Sequence, residues 1–335
     1  MPEHAPDAGA APRGGSASTR NPKPESPKGR RRAARVAYYP GCSLDGLASE
    51  YDASTRAVCR ALGIELVEIP DWNCCGSTPA HSCDPLLSGA LAGRNLAIAE
   101  RMGLDIVMTP CPGCLCSLKG ALHMHGEPGE REGFLQVLGM PFEGRVQAVS
   151  VLQLLHEALE AGLFEGKIVN PLTGRVIAPY YGCLLTRPAA FARFDDPENP
   201  VSMDRLLEAT GATVPDFPGK TECCGATYGV TRNQVVAELT GRILDMALNV
   251  GAQAVAVACP LCQQNLDLRQ SQVERYWKRR FNLPVVYLPQ LLGLALGIPP
   301  DRLGLEKLMV NADFLLEPPP GSEHKVPGEP EAASR

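Results

Sequence analysis

Ten of the thirteen cysteines in this 335-residue chain fall into two sets with the same internal order. Each set has a lone cysteine, then an adjacent cysteine pair followed by glycine, and then a Cys-Pro-x-Cys motif. This repeat constrains the fold, because the chain must bring five thiols together twice with similar local geometry. The first set is Cys42, Cys74, Cys75, Cys111 and Cys114, and the second is Cys183, Cys223, Cys224, Cys259 and Cys262.

The segments between the cysteines repeat as well. A short apolar run precedes each lone cysteine, at Val36–Tyr39 in the first half and at Val176–Tyr181 in the second. Apolar residues then recur at helical spacing, most clearly over Pro85–Met102 and Asn233–Asn249. Alternating strands and helices are typical of a parallel sheet flanked by helices. We therefore predict an α/β fold with two duplicated cysteine-rich domains, each a small, mostly parallel sheet flanked by helices, related by pseudo-twofold symmetry.

The cysteine motifs are expected at one edge of each sheet. In each half, the lone cysteine and the Cys-Pro-x-Cys motif follow predicted strands. Sites in open parallel sheets form in the loops beyond the carboxyl ends of the strands. The five thiols of each half should therefore meet at that edge.

Composition divides the chain into four regions. Residues 1–34 are rich in Pro, Gly, Ala and Ser and lack apolar periodicity, which predicts a disordered tail. The first cysteine-rich domain is predicted at 35–165 and the second at 166–308. Within the first, the polar and glycine-rich segment His123–Gly144 is predicted to be a loop or short insertion. Residues 309–335, rich in Pro, Glu and Gly, are predicted to be a mostly disordered C-terminal tail.

Charge and composition argue against two kinds of partner. The net charge is −5 and aromatic residues make up 5% of the chain, so we expect no nucleic-acid partner. The most apolar segment, Val285–Ile298, is shorter than the roughly 20 residues that cross a bilayer. No apolar stretch follows the arginine cluster Arg30–Arg35, as an export signal requires. We expect a cytoplasmic protein without direct membrane insertion, in which thiols stay reduced and cysteine clusters hold metal.

Five thiols per set suit an iron–sulfur cluster better than zinc. Structural zinc takes four ligands, and adjacent cysteines are poorly placed to bind one tetrahedral ion. Iron–sulfur clusters are held by cysteine thiolates. Both thiols of an adjacent pair can face one cluster only if the backbone turns there, and Gly76 and Gly225 supply the conformational freedom for that turn. These two glycines are therefore predicted to contribute to cofactor binding.

With the pattern C…CCG…CPxC twice between Arg35 and about Leu308, the chain resembles the B-subunit of heterodisulfide reductase, a family of duplicated CCG-domain proteins. The resemblance implies that each five-cysteine set binds a noncubane [4Fe-4S] cluster in which a thiolate bridges irons. It also implies an enzyme that reduces, or reversibly forms, a small-molecule disulfide between the two clusters; reduction cleaves the sulfur–sulfur bond and releases two thiols. Electrons would come from two further subunits of the same complex, an iron–sulfur subunit and a flavin-containing subunit.

Other residues near the motifs are candidates for supporting roles. His81, close after the first cysteine pair, is a candidate proton donor to a departing thiolate, with a backbone-bonded loop histidine as the alternative. Of the cysteines outside both sets, Cys59 is predicted to be a buried apolar residue and Cys116 to be structural, while Cys83 is given no role. Three cations are either solvated or in reach of an anionic substrate: Lys119, Arg187 and Lys220.

Two other functions stay open at this level. The chain could be an electron-transfer subunit whose CCG clusters pass electrons to a quinone, since similar domains occur in succinate and 2-hydroxy-acid oxidoreductases. It could also be a zinc-binding scaffold without catalytic activity. Two complete cysteine sets favour disulfide reduction, because a relay needs no matched pair of centres around a substrate.

Overall fold

The strands are short and form two separate parallel sheets. The computed structural model describes residues 35–77 and 79–318. In chain order the strands are β1 (Arg35–Tyr38), β2 (Glu65–Glu68), β3 (Ile106–Thr109), β4 (Gln147–Ser150), β5 (Ile177–Tyr180), β6 (Ala254–Val257) and β7 (Val285–Tyr287).

Helices connect the strands and cover the sheets. They are α1 (Cys42–Asp45), α2 (Ser49–Leu62), α3 (Pro79–Cys83), α4 (Pro85–Arg101), α5 (Pro112–Gly126), α6 (Pro128–Leu138), α7 (Val151–Glu160), α8 (Ala189–Ala192), α9 (Ser202–Ala209), α10 (Asn233–Asn249), α11 (Pro260–Gln263), α12 (Gln270–Trp277) and α13 (Leu288–Ala295). Single turns of 3-10 helix occur at Ala226–Tyr228, Pro300–Arg302, Leu305–Lys307 and Asp313–Leu315, and a π turn spans Gln264–Leu268.

The two sheets have related topologies. The first has the strand order β2-β1-β3-β4 and the second β5-β6-β7, and every pairing is parallel. In the second half, the place of β2 is taken by a single parallel bridge between Val176 and Thr213. Parallel pairing requires crossover connections, and the helices provide them and bury the sheets. The predicted α/β fold with two parallel sheets flanked by helices is confirmed.

The two halves share one hydrophobic core. Buried residues of β1 and α2 belong to the same cluster as those of β5, β6, β7 and α13. Between the halves, the rings of Tyr51 on α2 and Tyr287 on β7 stack with their centroids 4.2 Å apart. A second cluster lies within the first half and includes residues of α4, α5 and α6. Packing of the shared core fixes how the two cysteine sets lie relative to each other.

The segment His123–Gly144 is mainly helical, which corrects the predicted loop. The end of α5 and all of α6 lie within it. Helix α6 is stabilised by Phe134, which is fully buried against α4. A Cβ atom at Gly93 of α4 would come within 2.6 Å of the Phe134 ring, so the close approach requires glycine there. His125 is buried too, with its ring against Phe142.

Residues 309–318 pack against the second half instead of beginning a tail at residue 309. The backbone amides of Met309 and Val310 donate to the carboxylate of Asp267 at 2.8 and 3.1 Å, and Leu315 is buried. The predicted tails over 1–34 and 319–335 lie outside the described residues. The boundary between residues 165 and 166, which falls between α7 and β5, stays a prediction.

Candidate metal centres

Both Cys-Pro-x-Cys motifs begin where a central strand ends. Cys111 follows β3 and caps α5, and Cys259 follows β6 and caps α11. The lone cysteines Cys42 and Cys183 follow β1 and β5, which pair with β3 and β6. Because the strands are parallel, their carboxyl ends lie at the same edge of the sheet, where sites of this fold class form.

In the first set, the thiols group into a pair and a triplet. Cys42 is hydrogen-bonded to Cys74. The Sγ atoms of Cys75 and Cys114 lie 3.4 Å apart, and Cys114 is also hydrogen-bonded to Cys111. Burial raises the pKa of Cys42, and the neighbouring thiols of both groups raise it further. The five thiols therefore form one electrostatic unit.

The second set repeats this grouping. Cys183 is hydrogen-bonded to Cys223. The Sγ atoms of Cys224 and Cys262 lie 3.5 Å apart, and Cys262 is hydrogen-bonded to Cys259. In both halves the adjacent pair thus divides its thiols between the lone cysteine and the Cys-Pro-x-Cys motif. The structure brings together the five predicted cysteines of each half.

The backbone turns at the glycine after each adjacent pair. Gly76 has φ +74° and Gly225 has φ +77°, a left-handed conformation that glycine adopts readily. A Cβ atom at Gly76 would also lie 3.2 Å from Cα of Ser88 on α4, and one at Gly225 would lie 3.4 Å from Cα of Val236 on α10. These glycines let each cysteine pair lie directly against the following long helix.

A second pair of glycines brings the lone-cysteine turn close to the thiols. Gly41 has φ +72° and Gly182 has φ +69°. A Cβ atom at Gly41 would lie 3.1 Å from Sγ of Cys114, and one at Gly182 would lie 3.1 Å from Sγ of Cys262. A side chain at either position would therefore compete for space with a sulfur atom.

A tyrosine ring lies beside each set. The hydroxyl of Tyr39 donates to the carbonyl of Asn73 at 2.8 Å, and that of Tyr180 donates to the carbonyl of Glu222 at 2.7 Å. Each carbonyl directly precedes an adjacent cysteine pair. Burial raises the pKa of both phenols, and the surrounding thiols raise it further. Sequence reasoning missed these anchors, although a tyrosine occurs three residues before each lone cysteine.

Hydrogen bonds between thiols favour the thiolate at particular positions. Bonding to Cys114 lowers the pKa of Cys75 to about 6, and bonding to Cys183 lowers that of Cys223 to about 6. The partners shift the other way: hydrogen bonds with Cys111 and then Cys75 raise the pKa of Cys114, and the bond with Cys223 raises that of Cys183. Because the thiolate is the metal-binding form, each set contains a prepared ligand at neutral pH.

The donor chemistry of each set fits an iron–sulfur cluster. Its donors are five thiols, the ligand type that holds such clusters. In each set these thiols form a hydrogen-bonded pair and a hydrogen-bonded triplet, beside a turn where a Cβ atom would lie 3.1 Å from a cysteine sulfur. Among residues 35–77 and 79–318, no three His, Cys, Asp or Glu side chains are arranged to hold a single metal ion. The fit therefore rests on the number and type of the donors.

Segments next to the two cysteine sets contact each other across the interface between the halves. Helix α5, which follows Cys111, contacts α8 in the loop after the second lone cysteine, and Sγ of Cys116 lies 3.8 Å from the carbonyl of Leu184. Reciprocally, α11 contacts α1, which begins at Cys42. Burial raises the pKa of Tyr51, and thiols of both sets raise it further: Cys259, Cys111 and Cys262. This reciprocity is what a pseudo-twofold relation between the halves requires.

A cavity of about 470 Å³ opens at this interface beside Cys42. Parts of α1 and α2 line one side, and α11 and the π turn line the other. The carboxyl groups of Glu50 and Asp267 line it and are buried; burial raises the pKa of Glu50, and it raises that of Asp267 to about 6. Four large apolar side chains of the lining are exposed to solvent: Leu47, Leu261, Leu268 and Met309. Of these six residues, only Leu261 belongs to a motif that is recognisable in the sequence, as the variable residue of the second Cys-Pro-x-Cys motif.

The remaining sequence candidates have other surroundings. His81 is exposed on α3, and its backbone amide donates to the carbonyl of Gly76 at 3.1 Å; its role as a proton donor stays a prediction. Cys59 is buried on α2, and burial raises the pKa of its thiol to about 12, as suits an unreactive core residue. Cys83 is exposed at the end of α3.

The three predicted cations all have partners within the protein. Lys220 forms a buried ion pair with Asp204. Arg187 pairs with Glu198 at 2.7 Å. Lys119 donates to a backbone carbonyl at the end of α8. These contacts give each cation a structural role.

Comparison with known proteins identifies relatives over most of the chain. The family model of the CCG cysteine-rich domain matches residues 36–119 and 177–267. The 8-methylmenaquinol:fumarate reductase membrane anchor subunit of Wolinella succinogenes is 35% identical, over 83% of this chain and 98% of that protein. The B-subunit of the ferredoxin/F420H2-dependent CoB-CoM heterodisulfide reductase of Methanosarcina acetivorans is 32% identical, over 84% of this chain and 96% of that protein.

A solved structure also shares the fold. The crystal structure of a hypothetical protein from Helicobacter pylori matches with a TM-score of 0.68 and 14% identity. The match covers 86% of this chain, which spans about half of that protein (54%). Within the described part of the chain, no helix is both long enough and apolar enough to cross a membrane.

Proposed function

This chain belongs to the heterodisulfide reductase B-subunit family of proteins with two CCG cysteine-rich domains, and from that premise we propose that it is the catalytic subunit of a disulfide-reducing complex. Its relatives make it an iron–sulfur oxidoreductase subunit. The finer proposal is that two clusters act together on one sulfur–sulfur bond. A disulfide takes up two electrons and two protons and leaves as two thiols.

We propose that each five-cysteine set binds one noncubane [4Fe-4S] cluster. The first set would supply Cys42, Cys74, Cys75, Cys111 and Cys114, and the second Cys183, Cys223, Cys224, Cys259 and Cys262. A fifth thiolate exceeds what a cubane cluster needs, and it can be accommodated if one thiolate bridges two irons. The division of each adjacent pair between two thiol groups supports this assignment, because one member of the pair could bridge them.

The reciprocal packing of the halves carries the proposal. Each helix that begins at a Cys-Pro-x-Cys motif contacts the segment after the other half's lone cysteine. When bound, two clusters at such an interface would each supply one electron to a disulfide. The chain's own part is to hold two thiol sets at a fixed separation by the shared core and the stacked Tyr51 and Tyr287.

The partners proposed are an iron–sulfur subunit and a flavin-containing subunit of the same complex. Relatives named as subunits of heterodisulfide reductase and of fumarate reductase support a multi-subunit assembly. We place this assembly in the cytoplasm, where free thiols stay reduced.

Metal content tests the proposal first. The full chain, purified without oxygen, should carry about eight irons and as much acid-labile sulfide. Zinc in place of iron would overturn the proposal. Cys59→Ala, which alters a buried cysteine outside both sets, should keep the full iron content.

Substrate response tests the disulfide chemistry. A substrate thiol added to the iron-loaded protein under mild oxidation should change its electron paramagnetic resonance spectrum. The matched control is the same molecule with a hydroxyl in place of the thiol, which should change nothing. Equal responses to both compounds would argue against sulfur chemistry at the clusters.

The cavity beside Cys42 favours a second candidate, electron exchange with a quinone. Its exposed apolar side chains suit a lipophilic ligand, and a quinol releases two protons when it is oxidised. The buried Glu50, whose pKa burial raises, is suited to accept one of them. The relative from Wolinella succinogenes, named for 8-methylmenaquinol, supports this candidate.

A pair of surface variants separates the two candidates. Leu47→Glu places a charge at the cavity, whereas Val230→Glu places one at a residue that is 92% exposed and outside the cavity lining. If a quinone is the partner, Leu47→Glu should slow both reduction of the oxidised protein by a soluble quinol and its reoxidation by the matching quinone at least tenfold, and Val230→Glu should not. Equal rates in both variants would count against the quinone.

A further inference from the structure

The two halves place different side chains beside the second cysteine of the adjacent pair. The third residue after each Cys-Pro-x-Cys motif is Ser117 in the first half and Asn265 in the second. Both side chains hydrogen-bond to the second cysteine of the adjacent pair, Cys75 in one half and Cys224 in the other. The duplicated site thus has a different donor at the same place.

The orientation of Asn265 is fixed by two acceptors on one residue. Its Nδ2 atom donates to the carbonyl of Cys224 at 3.0 Å and lies 3.7 Å from Sγ of the same cysteine. The side chain is only 3% exposed. The hydroxyl of Thr240 donates to the same carbonyl at 3.4 Å. An anchored, buried amide is therefore held beside the sulfur.

The local backbone differs in the same place. Asn265 lies in the π turn Gln264–Leu268, whereas Ser117 lies within the regular helix α5 and is half-buried. A π turn is rare and is often found at functional sites. The first half therefore presents a hydroxyl that can rotate, and the second presents an amide that cannot.

Hydrogen bonds to cysteine sulfurs influence the reduction potential of an iron–sulfur cluster. A donor stabilises the reduced state more than the oxidised state, because the reduced state carries more negative charge. The effect is larger where burial keeps the local dielectric low. A buried, oriented amide should therefore raise the potential more than a half-buried hydroxyl does.

We propose that Asn265 is a positioning residue that raises the reduction potential of the second iron–sulfur centre and so makes the two centres unequal. The inference rests on the proposed binding of two clusters, and it holds for either a disulfide or a quinone as substrate. If the two reduction potentials differ, an electron resides preferentially on the centre with the higher potential.

Redox titration of the full, iron-loaded chain tests this, with each centre followed by electron paramagnetic resonance. Asn265→Leu keeps the side-chain size and removes the donor. It should lower the reduction potential of the second centre by about 59 mV, which corresponds to a tenfold change in the equilibrium of a one-electron reduction. The potential of the first centre should not change. Ser117→Ala should lower the reduction potential of the first centre by a smaller amount. Ser117→Asn should raise the potential of that centre.

Thr240→Val is the matched control, because it removes the other donor to the Cys224 carbonyl and spares the contact with sulfur. It should leave both potentials unchanged. A shift equal to that of Asn265→Leu would overturn the inference, as would an unchanged potential in Asn265→Leu at full iron content.

Iron content separates failure of the inference from failure of the proposed function. Wild-type protein without iron would overturn both. If Asn265→Leu is the only variant that loses half of its iron, the test is made with Asn265→Ser, which places the hydroxyl donor of the first half in the second. Asn265→Ser should then lower the reduction potential of the second centre by a smaller amount. An unchanged potential would overturn the inference.

Discussion

The two halves of the molecule arrange their thiols alike and surround them differently. In each half a positive-φ glycine follows the adjacent pair, another precedes the lone cysteine, and a tyrosine binds the carbonyl before the pair. Beyond these groups the halves diverge. The first has four strands and a continuous α5, and the second has three strands and a short α11 that ends in a π turn.

The comparison shows which groups around the thiols are the same in both halves and which groups the fold allows to differ. The glycines beside the sulfur atoms and the tyrosine that binds the carbonyl before the pair recur in both halves. Ser117 and Asn265 differ, and in the first half Asn95 also donates to the carbonyl of Asn73 at 3.0 Å. Groups farther from the thiols differ between the halves. In the first half Phe134 packs against Gly93 of α4, and in the second Trp277 packs against Gly241 of α10. Equal changes at the cysteines and at these recurring glycines should therefore have equal effects, and changes farther away should not.

The largest effect is expected from removing the buried cysteine of an adjacent pair. Cys75→Ala and Cys224→Ala each remove the thiol that contacts the Cys-Pro-x-Cys motif. Each should lower iron from about eight to about four per chain and abolish turnover. Iron and sulfide analysis checks this, with Cys59→Ala as the control. Unequal losses in the two variants would break the equivalence of the halves.

The aromatic residues on the long helices should show a large and unequal effect. Phe134 is fully buried, so Phe134→Ala should lower the free energy of unfolding by about 3–5 kcal/mol. Trp277 is only half-buried, and Trp277→Ala should cost less, although it also removes the bond from Nε1 to the carbonyl of Ala237. Thermal unfolding of the iron-loaded protein measures both, and Tyr228→Ala at an exposed site is the control. Equal losses of unfolding free energy in Phe134→Ala and Trp277→Ala would contradict the expected difference between the two halves.

Repetition and periodicity made much of the fold predictable. The helix predicted at Asn233–Asn249 has those bounds, because its apolar residues recur at helical spacing. The helical part of His123–Gly144 was not predicted from the sequence, because its glycines lower its helix propensity. Helix α6 is stabilised by tertiary packing of Phe134, which no local pattern records.

The candidate site was predictable in its thiols and not in its surroundings. The cysteine motifs are contiguous in sequence, so their chemistry can be recognised before folding. The cavity beside Cys42 forms only when the halves pack, since Leu47 and Met309 come from opposite ends of the described chain. Asn265 resembles any polar residue on a helix in sequence, whereas in the structure it is buried within the π turn.

A smaller effect is expected at the glycines before the lone cysteines. Gly182→Ala combines a positive φ with a Cβ atom 3.1 Å from Sγ of Cys262. Gly251→Ala is the matched control, because Gly251 has φ +75° and no atom within 4 Å of an added Cβ. Both should lose about 1–2 kcal/mol of stability from backbone strain, but only Gly182→Ala should also lose iron. Gly41→Ala should do the same to the first centre, and iron loss in Gly251→Ala would show that strain alone is responsible.

The smallest effect is expected from the tyrosine hydroxyls. Tyr39→Phe and Tyr180→Phe each remove the hydroxyl that donates to the carbonyl before an adjacent pair, at a cost of up to about 1 kcal/mol. After Tyr39→Phe, Nδ2 of Asn95 still donates to the carbonyl of Asn73 at 3.0 Å. Tyr180→Phe should therefore lower the thermal unfolding temperature more than Tyr39→Phe, both with full iron content, and Tyr228→Phe at an exposed site should leave it unchanged. Iron loss from only one variant would mean that its hydroxyl acts on the thiols beyond supporting the turn. The two centres would then differ at a second position besides Ser117 and Asn265.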